Sequence, residues 1–215
     1  MTKKERALSA VLKLKAEYPE ATCALIAETP FQLIVATRLS AQCTDARVNI
    51  VTPELFKKYP TENELAEAEL SDVESIIHSC GFFRAKAKDI IAMARDLKEI
   101  YNGVLPDTVE ELIKLPGVGR KTANLICGDV YKKPAVVADT HLIRITNLLG
   151  LISSKDPKTA ELELKKLLPP EESNDFCHRI VLHGRAVCIA RRPNCEKCCL
   201  KECCKNYETK TGNNI

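Results

Sequence analysis

The chain has 215 residues, 45% hydrophobic and 28% charged, which is enough for one large or two small globular domains and too apolar for a disordered chain. Its 32 Lys and Arg against 29 Asp and Glu leave a net charge of +3, so bulk charge names no partner. The N-terminal MTKKERALSAVLKLKAEYPE lacks the apolar core of a signal peptide, and no stretch nears the ~18 apolar residues of a membrane span. A secreted or membrane-bound protein is therefore not expected. Eleven cysteines in a reducing compartment argue against a disulfide-stapled fold.

The pattern is helical almost throughout. Leu8, Val11 and Leu12 share one stripe of residues 4–17, ended by Tyr18 and Pro19. Phe31, Leu33, Ile34, Val35 and Leu39 make a segment apolar on most faces, which predicts a central buried helix. Over 44–58, Pro53 is expected to break or kink the helix. Ser71-Asp72 suggests the cap of a short helix bearing Val73, Ile76 and Ile77. From Arg84 to Tyr101, Ile90, Ile91, Ala94, Leu97 and Ile100 recur at helical spacing, and Asn102-Gly103 supplies the stop. Asp107 and Glu110 form a capping-box pair ahead of Leu112, Ile113 and Leu115. After the turn Leu115-Pro-Gly-Val-Gly119, a helix resumes through Thr122, Ala123, Leu125 and Ile126. Asp139 or Thr140 caps a helix carrying Leu142, Ile143, Ile145, Leu148 and Leu149, and two more follow near 157–168 and 174–187. Paired alternating strands are absent. The expectation is an all-α protein of roughly ten helices.

Charge is unevenly spread. Residues 61–80 carry Glu62, Glu64, Glu67, Glu69, Asp72 and Glu74 and no Lys or Arg, whereas 179–215 carry eight bases against three acids. That suits an anionic partner on one face, or a solvated tail. The helix–turn–helix over 107–131 is more specific. Gly117 and Gly119 permit positive φ and leave backbone amides uncovered, and a turn opening into a helix N-terminus can hold a phosphate. A dinucleotide fingerprint would need a third glycine where Thr122 stands, and a Walker A loop fails because Arg120 separates Gly119 from Lys121. Arg120 and Lys121 occupy a first helical turn, where the dipole disfavours cations by ~0.3–1 kcal/mol. Phosphate binding accounts for Arg120. A partly desolvated lysine at a helix start is disfavoured as an ammonium ion, which suits it to act as a nucleophile.

Leu115-Pro-Gly-Val-Gly-Arg-Lys-Thr-Ala-Asn124 followed by Val137-Ala-Asp-Thr-His-Leu-Ile-Arg144 closely resembles the helix–hairpin–helix DNA glycosylases of the endonuclease III type. The resemblance implies base excision repair of double-stranded DNA by a bifunctional enzyme that removes oxidised pyrimidines and cleaves abasic sites. Lys121 would attack C1′ of a flipped nucleotide, and Asp139, which also suits a helix N-cap, would help deprotonate it. A Schiff base and β-elimination would follow. Leu115, Gly117, Val118, Gly119 and Arg120 would form the phosphate-gripping hairpin. In Leu39-Ser-Ala-Gln-Cys-Thr-Asp45, Gln42 stands where the family fills the gap left by the flipped base. Phe82 or Phe83 follows Gly81 at the second, usually aliphatic wedge, with Phe82 favoured; both also suit a core. His141, Arg144, His183 and Arg185 are candidates for phosphate contact or for structural hydrogen bonds.

Six cysteines (188, 195, 198, 199, 203 and 204) crowd the C-terminal end. Four thiolates could hold zinc or an iron–sulfur cluster, and spacing alone does not choose the set. The resemblance implies a [4Fe–4S] cluster on Cys188, Cys195, Cys198 and Cys204, leaving Cys199 and Cys203 extra. Arg191 and Arg192, in the loop between the first two ligands, would then face DNA phosphates. Cys23, Cys43, Cys80, Cys127 and Cys177 are expected to be small core residues.

The implied architecture is two helical lobes with a DNA cleft between them. One is a six-helix lobe over 23–133; the other is a discontinuous four-helix iron–sulfur lobe of 1–22 and 134–215. The implied setting is a monomer in a prokaryotic cytoplasm. Rival readings are a monofunctional mismatch glycosylase of the same superfamily, or a non-catalytic DNA-binding module. The former typically lacks the hairpin lysine and carries an extra C-terminal domain.

Overall fold

A computed structural model describes residues 1–212. Among these residues there are twelve α-helices, three short 3-10 turns and no strand. The first helix, α1 (Lys3–Glu17), starts with a capping box in which Thr2 and Glu5 satisfy each other's backbone amides. Ala7, Ala10, Val11 and Leu14 form its buried stripe, whereas Leu8 and Leu12 are exposed. The chain divides into two compact units, Cys23–Tyr131 and a discontinuous one joining Met1–Thr22 to the chain from Lys132 onward.

The continuous unit is built around α2 (Pro30–Leu39), which packs on α3 (Asp45–Lys58), α6 (Phe83–Glu99) and α8 (Arg120–Asp129). Thr29 caps α2 and Pro30 fits its first turn, where no amide bond is lost. Ile34, Val35, Ala36 and Leu39 are wholly buried, so α2 is apolar on several faces because it has neighbours on several faces. Pro53 does not break α3, which runs through it. Proline removes only one ladder bond, and the buried Val48, Val51, Thr52 and Leu55 hold the helix in place on both sides of it.

Between α3 and α6 lie α4 (Glu62–Ala66) and α5 (Leu70–Ile76), both packed on α6. Asp72 is not the cap of α5; it sits in the first turn, where it accepts hydrogen bonds from Lys58 at 2.6 Å and from the Tyr59 hydroxyl at 2.5 Å. Asn102 and Gly103 are both left-handed after α6, as the stop signal predicts. The cap of α7 (Val109–Leu112) is Thr108, which accepts the Glu111 amide at 3.3 Å, and not Asp107.

In the discontinuous unit, α9 (Thr140–Leu149), α10 (Pro157–Leu167), α11 (Ser173–Ala186) and α12 (Lys205–Thr211) join α1. Helix α11 packs on α1 and α9, and α12 packs on α9. The helix count exceeds the expected ten by α4 and α12, one- and two-turn pieces too short for an apolar period to register.

Candidate active site and metal centre

The α7–α8 hairpin turns on its glycines for two different reasons. Gly117 has φ +72°, and a Cβ there would stand 2.6 Å from Arg38 Nε and 2.8 Å from Asp89 Cβ. The hairpin thus rests on an ion pair in which Arg38 Nε donates to Asp89 Oδ2 at 2.8 Å. Neither residue was suggested by the sequence pattern, since they lie in different helices. Gly119 has open space around it and is the N-cap of α8, so no capping side chain covers the start of that helix. Leu115 and Val118 are 2% and 7% exposed. Their side chains anchor the turn, and only their backbone can meet a ligand. Arg120 is half-buried, while Lys121 is exposed and not desolvated as expected.

Asp139 caps α9: its Oδ1 accepts the Leu142 amide at 2.7 Å, with the side chain half-buried. Next along α9, His141 and Ile145 meet Gly184 of α11. A Cβ at Gly184 would lie 2.5 Å from His141 Nδ1, so glycine there is what lets α9 and α11 approach. Thr140, His141, Arg144, Gly184, Arg185, Ile189 and Ala190 line a cavity of about 470 Å³. His141 Nδ1 and one Arg144 amino group are buried without a hydrogen-bond partner. His183, by contrast, is 1% exposed, and its ring contacts the Tyr18 hydroxyl at 3.2 Å and Cys198 Sγ at 3.3 Å. Burial, then the charge of Arg144, lowers its pKa to about 4, so it is a neutral structural group and no phosphate ligand.

Gln42 and Phe82 share an unusual backbone. Both are left-handed, with φ 53° and 58°, and both side chains are exposed. A non-glycine residue in that region costs ~1–2 kcal/mol. A Cβ at Gly81 would be 3.5 Å from the Gln42 carbonyl oxygen, so the two turns abut. Phe82 is 69% exposed, whereas Phe83 packs on His78, the rings tilted by 51° with centroids 4.6 Å apart, and lies under Arg84. The structure therefore separates the two phenylalanines into a projecting and a packed residue.

The C-terminal cysteines occupy a series of tight turns. Cys195–Lys197 and Lys201–Cys203 are 3-10 turns, and the loop between Cys188 and Cys195 is closed by the Asn194 amide on the Val187 carbonyl at 2.9 Å. Arg191 and Arg192 are exposed in that loop. Cys188, Cys195, Cys198 and Cys204 are all half-buried. Arg144 Nη1 approaches Cys188 Sγ at 3.6 Å, and burial lifts the Cys198 thiol to about 12, with Cys199, Cys188 and Cys204 adding to it.

Among the described residues, no three His, Cys, Asp or Glu side chains close on one metal ion. Four thiolates are the donor set of a four-iron cluster and of structural zinc alike, and Arg144 beside Cys188 can offset the negative charge of such a set. Of the extra pair, Cys203 is wholly buried and its carbonyl accepts Arg6 Nη1 at 2.6 Å. Cys199 is half-buried, its sulfur 4.0 Å from His183 Nδ1. Among the scattered cysteines, Cys80, Cys127 and Cys177 are buried as expected, but Cys23 and Cys43 are only half-buried.

An all-helical fold with a glycine hairpin of this kind defines a class: residues 35–170 match the HhH-GPD superfamily of base excision DNA repair proteins. The endonuclease III of Synechocystis sp. is 48% identical over 208 residues, 96% of this chain and 95% of that one. The endonuclease III of Escherichia coli is 36% identical over 205 residues, 95% and 97% of the two chains. A solved endonuclease III trapped as a covalent intermediate with DNA superposes with a TM-score of 0.91 at 38% identity, covering 98% of this chain and 100% of that one. The chain belongs to the endonuclease III family.

Proposed function

We propose that this base excision repair DNA glycosylase of the endonuclease III type removes oxidised pyrimidines from duplex DNA and cleaves the abasic site with Lys121 as nucleophile. The observation that carries this reading is an exposed lysine in the first turn of α8, behind an N-cap that has no side chain. The hairpin amides and the helix dipole hold a backbone phosphate there. Lys121 Nζ forms a bond to C1′ of the extruded sugar as the glycosidic bond breaks and the base departs with its electron pair. Asp139 takes a proton from the attacking amine and stabilises positive charge on the sugar. The amine adduct opens to a Schiff base, a proton leaves C2′, and the C3′–O bond breaks on the 3′ side of the lesion.

Gln42 and Phe82, held outward on left-handed turns, enter the space the flipped nucleotide leaves. Cys188, Cys195, Cys198 and Cys204 hold a [4Fe–4S] cluster that stiffens the loop bearing Arg191 and Arg192, which contact phosphates. The group would supply structure there, and every reacting atom above belongs to the chain or the DNA.

Borohydride trapping on abasic-site duplex tests the assignment. The wild type is expected to give a covalent protein–DNA adduct, Lys121→Gln none, and Asp139→Asn a rate lower by about 10²-fold or more. An undiminished adduct with Lys121→Gln would overturn it. Iron and acid-labile sulfide in equal amounts, four of each per chain, are expected on elemental analysis.

A further inference from the structure

The abutting Gln42 and Phe82 turns are flanked by two thiols. Cys43 follows Gln42 and Cys80 precedes Gly81, so each of the abutting turns carries one thiol, and burial, then negative charge on Cys43, pushes the Cys80 thiol up. Cys80 is wholly buried and Cys43 half-buried, so one sulfur is reachable from solvent and the other lies behind it. Beneath them is Lys86, 1% exposed, whose Nζ donates to the Leu39 carbonyl at 2.7 Å at the end of α2. Burial disfavours its charged form, and the charges of Cys43 and Cys80 oppose that effect, so a thiolate here and the lysine ammonium stabilise each other. A buried lysine beside a thiol pair, at the base of two high-energy turns, is an arrangement the glycosylase chemistry does not use.

We propose that Cys43 and Cys80 are a peroxide-oxidisable pair whose disulfide ties the Gln42 turn to the Phe82 turn and weakens the hold on damaged DNA. The effect on DNA rests on the reading that these turns engage the duplex; formation of the bond does not. Cys43, as thiolate, attacks one oxygen of hydrogen peroxide; the O–O bond breaks, and hydroxide leaves and is protonated to water. Cys43 is now a sulfenic acid. Cys80 sulfur attacks it, forming the S–S bond and expelling a second water that takes the Cys80 proton. Two thiols and one peroxide thus become one disulfide and two waters, with both electrons passing from sulfur to peroxide. Cys80 is wholly buried and Cys43 only half-buried, so peroxide arriving from solvent meets Cys43 first. A disulfide constrains its Cα atoms to about 4.4–6.8 Å and fixes their Cβ directions. Closing one here removes the freedom of Gln42 and Phe82 to settle into a distorted duplex.

The test uses reduced, cluster-loaded full-length protein and peroxide doses that leave the cluster's visible absorption unchanged. After quenching, alkylation and trypsin, peptide 39–47 is expected joined to peptide 59–84, two hydrogens lighter than their sum. Affinity for a duplex with an uncleavable abasic analogue, read by fluorescence anisotropy, is expected to fall at least fivefold and to return with dithiothreitol. Cys43→Ser and Cys80→Ala are expected to bind like the wild type and to be insensitive to peroxide; either alone suffices if the other folds poorly. Recovery of both peptides separately alkylated would overturn the proposal. So would a linked peptide with unchanged affinity. If the reduced protein binds no abasic duplex, the functional reading fails, while the linked peptide still decides whether the pair forms.

Discussion

At Asp139 one carboxylate oxygen accepts the Leu142 amide at 2.7 Å, so the residue proposed to serve the reaction also starts a helix. The two duties can be separated, because asparagine caps a helix about as well as aspartate whereas alanine does not. Asp139→Asn is expected to keep wild-type stability and lose activity. Asp139→Ala is expected to lose activity and, in addition, about 1 kcal/mol of stability, a drop of about 2–4 °C in melting temperature by calorimetry. Equal melting losses for both variants would mean that the carboxylate charge, and not the cap, stabilises α9. The identity of Asp139 was legible in the sequence because an N-cap is a local pattern: its acceptor reaches an amide three residues on. Lys121 was legible in the same way, but its exposure was not, since the sequence of a first turn does not record what lies against it.

At the scale of elements, α1 and α11 are joined through the 3-10 turn before α11. Glu172 there receives Lys15 from α1 and, at 2.7 Å, Arg179 from α11, with Arg179 also on Asp175 at 3.1 Å. Lys15 first, then Arg179, holds the Glu172 carboxyl below the ordinary glutamate range. A depressed folded-state value means that the unfolded chain binds the proton more readily. The stabilisation is therefore complete above about pH 5 and fades as pH falls through the carboxylate range. Glu172→Gln is expected to lower stability at pH 7 by about 1 kcal/mol and to flatten the decline below pH 5, as read from urea midpoints across pH. Helix ends were the part of the elements least visible in the sequence. Asp72 matched a cap by residue type but was taken up by Lys58 and Tyr59, and Pro53 matched a breaker but was outweighed by the buried residues around it.

At the scale of the molecule, the N-terminal helix is a structural part of the cysteine-rich end. Arg6, 7% exposed, donates from Nη1 to the Cys203 carbonyl at 2.6 Å and to Glu208 at 3.0 Å. Arg6→Ala is expected to cost about 1–3 kcal/mol, because it strands a buried carbonyl, and to lower the iron retained per chain during dialysis. Retention equal to wild type would separate the cluster from the clasp. The sequence by itself determined what depends on neighbours along the chain: an all-helical pattern, a hairpin turning on glycines, the cap at Asp139, and the order of the cysteines. Tertiary structure alone decided what depends on residues far apart in the chain, such as Arg38 and Asp89, 51 positions apart, under the hairpin, or Arg6 and Cys203, 197 apart. It also decided which of Phe82 and Phe83 projects, and that Cys43 meets Cys80. The physical reason is the range of the forces involved: backbone hydrogen bonds and torsions act over three or four residues, while burial and ion pairing depend only on which surfaces the folded chain brings together.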